Sequence, residues 1–289
     1  MTEVKRVVVV GGGTMGSQIA LQAALSGRYQ VTLVDADARQ LQAARAQNER
    51  LVARGVEKGR IEESAGRTAL TSIADSADLE AAGAQADLVI EAVFEDLAVK
   101  VDIFKRLDAV APGHAILASN SSSIAISRLA AVTGRPDRCC NMHFFHPVTV
   151  MQLCEVVKGP ETSDATIDIA MEFVRTINRV PVLIHKEVHG FIVNRVLVAA
   201  TEEALRLLEG GYASVEDIDI AVKKGLNWPM GPFELLDFSG VDIFYGVLED
   251  RHRLEGGDEP SRTLKDKVHK NELGRKTGKG FYDYSGRLF

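Results

Sequence analysis

The chain has 289 residues, of which 46% are hydrophobic and 26% charged, with a net charge of −6 and a pI near 5.7. That length suits about two domains of ~100–200 residues each. The acidic balance gives no sign of the basic face that nucleic-acid backbones favour, and no apolar run approaches the ~18–20 residues of a membrane span.

The opening MTEVKRVVVVGGG holds four consecutive valines, a pattern for a strand buried on both faces. Its apolar part is too short for a secretion signal, so a cytoplasmic protein is expected. Met15, Ile19, Leu21, Ala24 and Leu25 give the following helix an apolar face, and Gly27 ends it. QVTLVD (30–35) is a second strand, which completes a βαβ unit within ~30 residues. A long polar helix follows from about Asp37 to Lys58. ADLVIEAV (86–93) and AILASN (115–120) predict buried strands, each followed by a helix, through VKVDIFKRLDAV and IAISRLAAV. RCCNMHFF and VMQLCEVV are two more strand candidates, a helix is expected near 164–177, and VPVLI (180–184) is a last strand. The final strands allow an antiparallel arrangement. Cys139, Cys140 and Cys154 are odd in number and form no CxxC, which fits a reducing compartment rather than a disulfide framework. After about Lys186 the β-rich runs stop. GFIVNRVLVAATEEALRLLEGG is a long helix, and SVEDIDIAVKKGL opens with a capping box of Ser214 and Asp217. The fold class expected is α/β, with a doubly wound, mainly parallel sheet over residues 1–186 and an all-helical domain over 187–289.

Gly11, Gly13 and Gly16 form GxGxxG. The motif gains its weight from context: a strand before it, a helix after it, and Asp35 at the end of the next strand. Gly11 permits the tight turn, Gly13 lets backbone approach a pyrophosphate, and Gly16 allows close helix–strand packing. The helix N-terminus offers N–H donors to phosphates. Asp35 would accept from the adenosine ribose hydroxyls and repel a 2′-phosphate, which favours NAD over NADP, with Arg39 a minor counterweight.

In NMHFFHPVTVMQLCEVV (141–157), His143 and His146 lie three apart on backbone that Pro147 and two phenylalanines keep from being helical. On extended backbone that spacing sends the two side chains to opposite faces. No cysteine or acid stands at tight ligand spacing, so no metal site is expected. Glu155 lies in an apolar run. Buried carboxylates need a cation or a donor, and a histidine is a natural partner, though a structural Glu–Arg or Glu–backbone contact is an equal alternative.

At this point the chain resembles a family, the L-3-hydroxyacyl-CoA dehydrogenases of the short-chain 3-hydroxybutyryl-CoA type. The resemblance spans nearly the whole length. GGGTMG (11–16), FEDLAVK (94–100), SNSSS (119–123), HFFHPVTVMQLCE (143–155), GFIVNR (190–195), PMGPFELLD (229–237) and GRKTGKGFYDY (274–284) occur in matching order. The resemblance implies a catalytic histidine at His143 paired with Glu155, and a serine and an asparagine for substrate at Ser122 and Asn194. It implies cofactor contacts at Gly11, Gly13, Thr14, Met15, Gly16, Asp35, Glu95, Lys100, Asn120 and His146. His146 stands where the family usually has asparagine, which changes a contact near the nicotinamide end to a bulkier, titratable one.

The activity implied is NAD-dependent oxidation of an (S)-3-hydroxyacyl-CoA to a 3-oxoacyl-CoA and its reverse, chemistry that serves fatty-acid metabolism among other routes. A homodimer is implied as well. CoA carries phosphates, and Arg54, Lys58 and Arg60 stand near the end of the long polar helix where they suit phosphate, though a plain solvated helix end is the alternative. Ser122 has an alternative as a helix N-cap. The GRKTGKGFYDY tail is expected to pack on the helical domain. Two rivals exist. One is a dehydrogenase of a non-CoA 3-hydroxy acid such as gulonate, and the other is an NAD-binding protein that does not catalyse.

Overall fold

The computed structural model describes residues 3–256 and 258–286. The chain divides into two compact units, parting between Phe191 and Ile192.

The first unit runs β1 (Arg6–Val10), α1 (Thr14–Leu25), β2 (Gln30–Val34), α2 (Ala38–Glu57), α3 (Glu63–Ser72), β3 (Ile73–Ser76), α4 (Leu79–Gly83), β4 (Leu88–Glu91), α5 (Leu97–Val110), β5 (Ile116–Ser119), α6 (Ile126–Ala130), β6 (Cys139–Phe144), β7 (Leu153–Lys158), α7 (Asp164–Thr176) and β8 (Val180–Ile184). The strands form one sheet in the order β3-β2-β1-β4-β5-β6-β7-β8. Neighbours are parallel except β6 and β7. The order reverses at β1, the crevice of a doubly wound sheet where ligands bind beyond the carboxyl ends of the strands.

The valine run explains why the sheet is covered on both sides. Alternate side chains of a strand point to opposite faces. Val7 and Val9 join a core with Ile19 and Leu21 of α1, Leu41 of α2 and Phe173 of α7. Val8 and Val10 join another with Leu79 of α4, Phe104 and Leu107 of α5, and Leu129 of α6.

One stretch goes beyond the sequence expectation and one differs from it. The segment 63–83, which shows no clear pattern in the sequence, folds as α3, β3 and α4. The strand IADS has one β-branched residue and becomes a strand because it pairs with β2 at the sheet edge. The helix expected over IAISRLAAV shrinks to the five residues of α6, because Ser121–Ile124 are held in a side-chain-capped turn and tight turns at Val132 and Thr133 close its end.

The second unit holds α8 (Val193–Glu209), α9 (Val215–Gly225), α10 (Pro232–Ser239), α11 (Val241–Glu255) and α12 (Arg262–His269). Ser214 caps α9 by accepting from the Asp217 N–H at 3.1 Å. The buried Asp219 carboxylate caps α10, accepting from the Phe233 and Glu234 N–H groups at 2.9 Å each, and from the Tyr282 hydroxyl at 2.8 Å. Asp237 accepts from the N–H groups of Phe281 and Tyr282, both at 2.8 Å. A Cβ at Gly280 would lie 1.9 Å from the Asp237 carboxylate, so glycine is required there. Phe281 stacks on the buried Phe233 at 4.7 Å between ring centres. These contacts lock the GRKTGKGFYDY segment onto the helices.

Candidate active site

One edge of the sheet, where the parallel strands β2, β1, β4, β5 and β6 end, gathers chemistry from six neighbouring strands, the sixth being the antiparallel β7. At β1, Gly11 has φ +110°, and a Cβ there would meet the Ala92 carbonyl oxygen at 2.6 Å. A Cβ on Gly16 would stand 1.9 Å from the Gly11 oxygen, so α1 packs tightly under the loop. Gly13, by contrast, faces open space, and as the N-cap of α1 it makes no side-chain cap. Thr14 and Met15 begin the helix. The first-turn N–H groups of α1 are thus presented to an anion, and the residues present fit a dinucleotide. Asp35, just past β2, accepts from the Gly12 N–H at 2.7 Å and the Asp37 N–H at 2.9 Å. Arg39 turns to Asp37, pairing at 2.8 Å.

Beyond β4 and β5 lies a buried ionic chain. Lys100 and Glu91 are both at most 1% exposed and pair at 2.7 Å. The ammonium also donates to the Val93 carbonyl at 3.2 Å and meets Glu95 at 3.2 Å. Glu95 accepts from the hydroxyls of Ser121 and Ser123 and from the Ser123 N–H. Burial pushes the Glu95 carboxyl up, but the Ser121 bond, the Lys100 charge and the Ser123 bonds outweigh it and the pKa is lowered. Glu91 also accepts from the Ser119 hydroxyl at 2.6 Å. Glu91 is a residue the sequence reading did not single out, although it carries the same signature as Glu155, a carboxylate in an apolar strand. Asn120 accepts from the Phe144 N–H at 2.9 Å, which ties this loop to the end of β6. Ser121, not Ser122, caps the turn, accepting from the Ile124 N–H at 2.7 Å. Ser122 is half-buried and makes no hydrogen bond to the described residues.

β6 and β7 are antiparallel, and their register sets His143 directly opposite Glu155. Opposed residues share a sheet face, with Cβ atoms about 5 Å apart. His143 Nδ1 lies 2.8 Å from the Glu155 carboxylate, and both side chains are buried. Phe145 and Phe191 flank the imidazole, with ring centres 4.6 and 5.5 Å away. His146 is exposed and precedes a cis peptide to Pro147. Among the described residues no group of three His, Cys, Asp or Glu side chains could hold a metal ion.

Arg54, Lys58 and Arg60 line one cleft of about 450 Å³, together with Arg179 and a single acid, Glu62. Arg179 donates to Gln22 Oε1 at 2.6 Å and to the carbonyls of Val148 and Asn178 at 2.8 and 2.6 Å. All three acceptors are neutral, and burial lowers its pKa from the ordinary value. An isolated arginine in a turn gives no sequence signal, so the place of Arg179 in this cleft is not legible from the sequence. Asn194 lies in the second unit, half-buried in the first turn of α8.

The family model for the NAD-binding domain of 3-hydroxyacyl-CoA dehydrogenase matches residues 6–188, and the model for that enzyme's C-terminal domain matches residues 190–284. The chain is 44% identical to the mitochondrial hydroxyacyl-coenzyme A dehydrogenase of Sus scrofa, over 97% of this chain and 91% of that one. It is 41% identical to the 3-hydroxybutyryl-CoA dehydrogenase of Bradyrhizobium diazoefficiens, over 98% and 96%. The crystal structure of (S)-3-hydroxybutyryl-CoA dehydrogenase from Ralstonia eutropha matches with a TM-score of 0.92 at 37% identity, covering 98% of this chain and 99% of the other. The glycine loop and Asp35 therefore lie in an NAD-binding domain, and the chain belongs to the 3-hydroxyacyl-CoA dehydrogenase family of oxidoreductases.

Proposed function

We propose that the protein interconverts short-chain (S)-3-hydroxyacyl-CoA, such as 3-hydroxybutyryl-CoA, and 3-oxoacyl-CoA, with His143 and Glu155 as the acid/base pair. The observation that carries this reading is the buried His143–Glu155 contact at 2.8 Å on the same sheet edge as the nucleotide loop. The NAD-binding loop would hold the dinucleotide, which would supply the hydride acceptor for C3 of the substrate, or the donor in reverse. With Nδ1 directed at Glu155, the imidazole keeps Nε2 for the substrate hydroxyl proton. Glu155 fixes the tautomer and stabilises the imidazolium that forms. Ser122 and Asn194 hydrogen-bond the substrate oxygens and so hold C3 in place. His146 would contact the bound cofactor, as the family resemblance implies. Arg54, Lys58 and Arg60 hold the CoA phosphates, favoured by a cleft whose lining holds four cations against one acid.

In the same reading the first unit is the NAD-binding domain and the helical unit a substrate and dimerisation domain. Ile220, Leu226, Phe238 and Ile243 of the helical unit are each more than half exposed, apolar surface of the kind that marks interfaces. A cytoplasmic setting is consistent with three buried, unpaired thiols. The test is NADH consumption with acetoacetyl-CoA. Wild type turns over, and His143→Ala loses about 10²–10⁴-fold in kcat. Wild type that binds NADH yet does not turn over acetoacetyl-CoA would overturn the substrate assignment.

A further inference from the structure

One hydrogen bond does not aim an imidazole. The contact of His143 Nδ1 with Glu155 at 2.8 Å fixes one atom of the ring, and the ring can still tilt about that atom. Its plane has to be set by whatever lies against its faces. Two rings lie there. Phe145, two residues further along the same segment, has its centre 4.6 Å from the imidazole and is tilted by 59°. Phe191 has its centre 5.5 Å away and is tilted by 55°. Tilted aromatic pairs with centres ~4.5–7 Å apart attract one another beyond the area they bury. Phe145 is half-buried, whereas Phe191 is 3% exposed.

Phe191 is the last residue of the first unit, and its backbone is unusual. It has φ +51°, directly after Gly190 at φ +74°. The other non-glycine residues with positive φ among the described ones are Asn178, Asn227 and Asn271. Asparagine tolerates this region because its short side chain bonds locally, and a phenylalanine gains nothing of the kind. Such a conformation persists at a bulky residue only where the surroundings over-determine it, and it gathers at functional sites. The surroundings are specific. Phe191 packs with Val157 of β7 and Ile184 of β8, which are partners in the parallel register. Its N–H donates to the Val188 carbonyl at 3.1 Å. Glu155 and Val157 are two apart on β7 and so share a sheet face. Phe191 is therefore seated on the face that carries His143 and Glu155.

We infer that Phe191 is a positioning residue whose ring sets the plane of the His143 imidazole, and with it the direction of Nε2. The inference rests on the proposed role of His143 as the acid/base group. Glu155 decides which nitrogen carries the proton, and Phe191 decides where the other one points. Phe145 cannot do this alone, because it belongs to the same segment as the histidine. Phe191 is anchored separately, on β7 and β8. An ordinary φ at residue 191 would redirect its Cβ and take the ring off the imidazole, which accounts for the left-handed backbone at a bulky side chain. A base works only within hydrogen-bond reach of the proton it takes, and a misplacement of about 1 Å costs on the order of 10²-fold in rate. No proton or hydride passes through Phe191 itself.

The test uses Phe191→Leu and Phe191→Met, which keep apolar volume over Val157 and Ile184 without a flat face, and Phe191→Tyr, which keeps the ring. With acetoacetyl-CoA and NADH, the Leu and Met variants lower kcat roughly 10- to 100-fold, while the KM for either substrate moves less than about 3-fold. Phe191→Tyr stays within about 3-fold of the wild-type kcat. Wild-type kcat in the Leu or Met variant would overturn the inference, and so would a Tyr variant that loses as much as they do. A raised KM for NADH with kcat intact would also overturn it. Carbon-13 relaxation at His143 Cε1 gives a readout that needs no turnover. The order parameter of that ring stays near that of a rigid group, about 0.85, in wild type and Phe191→Tyr, and drops below about 0.6 in Phe191→Leu and Phe191→Met. A ring that stays rigid in the Leu and Met variants overturns the inference. Wild type without turnover would sink the substrate reading and leave the ring relaxation to decide the role of Phe191.

Discussion

Gly16 leaves no room for a methyl group, since its Cβ would fall 1.9 Å from a backbone oxygen of the phosphate loop. Gly16→Ala therefore displaces either the loop or α1. The NADH dissociation constant is expected to rise at least about 10-fold in a fluorescence titration, because the loop must hold its shape to approach a pyrophosphate. Unchanged affinity would mean the loop yields freely. Glu155→Gln keeps size and removes charge beside His143, so kcat falls on the order of 10²–10⁴-fold while the fold is kept. Steady-state rates together with circular dichroism separate the two effects. Single side chains of this kind were readable in part. A carboxylate in an apolar strand announces that it needs a partner, which applies to Glu155 and equally to Glu91. What the sequence could not carry is which atom answers. The register opposing His143 to Glu155 is a property of two paired strands, and Lys100 reaches back nine residues to Glu91 across a turn.

Asp87, at the start of β4, acts on whole strands. Its carboxylate accepts from the Lys5 and Arg6 N–H groups at 2.9 and 2.8 Å, which pins β1, and lies 2.9 Å from His114 before β5. Burial alone would raise its pKa, but the bonds from His114, Arg6 and Lys5 hold it down to about 2. A carboxyl lowered in the folded state gives stability that is fully present above the unfolded value near 3.8 and is lost as pH falls toward 2. The contribution at neutral pH is about 2 kcal/mol. Asp87→Asn should lose that amount in urea unfolding at pH 7 and show a shallower decline between about pH 4 and pH 2 than wild type. Equal acid limbs would contradict the assignment. Among the elements, β1, α1 and β2 were legible because a valine run, spaced glycines and a terminal acid all agree. β3 was not, because IADS owes its extension to β2 and not to its own composition.

Across the molecule, the change from strands to helices was visible as a loss of β-rich runs, while the glycine–aspartate contacts that hold the last helices to the C-terminal segment were not. They depend on residues more than forty positions apart, such as Asp237 with Phe281. The thiols give a global probe of the first unit. Cys139 and Cys140 lie on β6 and Cys154 on β7, all buried. Burial pushes the Cys139 thiol to about 11 and raises the other two as well. Thiolate is the reactive form, so all three should be nearly inert to a disulfide reagent in the native protein and react together on unfolding. A single fast thiol under native conditions would show that β6 or β7 opens locally.

Asp35 has a consequence for how this enzyme's cofactor preference can change. In the proposed reading Asp35 meets the ribose, and the same carboxylate closes the glycine loop, through Gly12, and starts the turn into α2, through Asp37. A small neutral residue that welcomed a 2′-phosphate would also release both backbone donors. On that reading, selectivity for the smaller ribose and the shape of the phosphate loop would be inherited together. A variant that accepts the phosphorylated dinucleotide needs at least two compensated steps, one to admit the phosphate and one to tie Gly12 again.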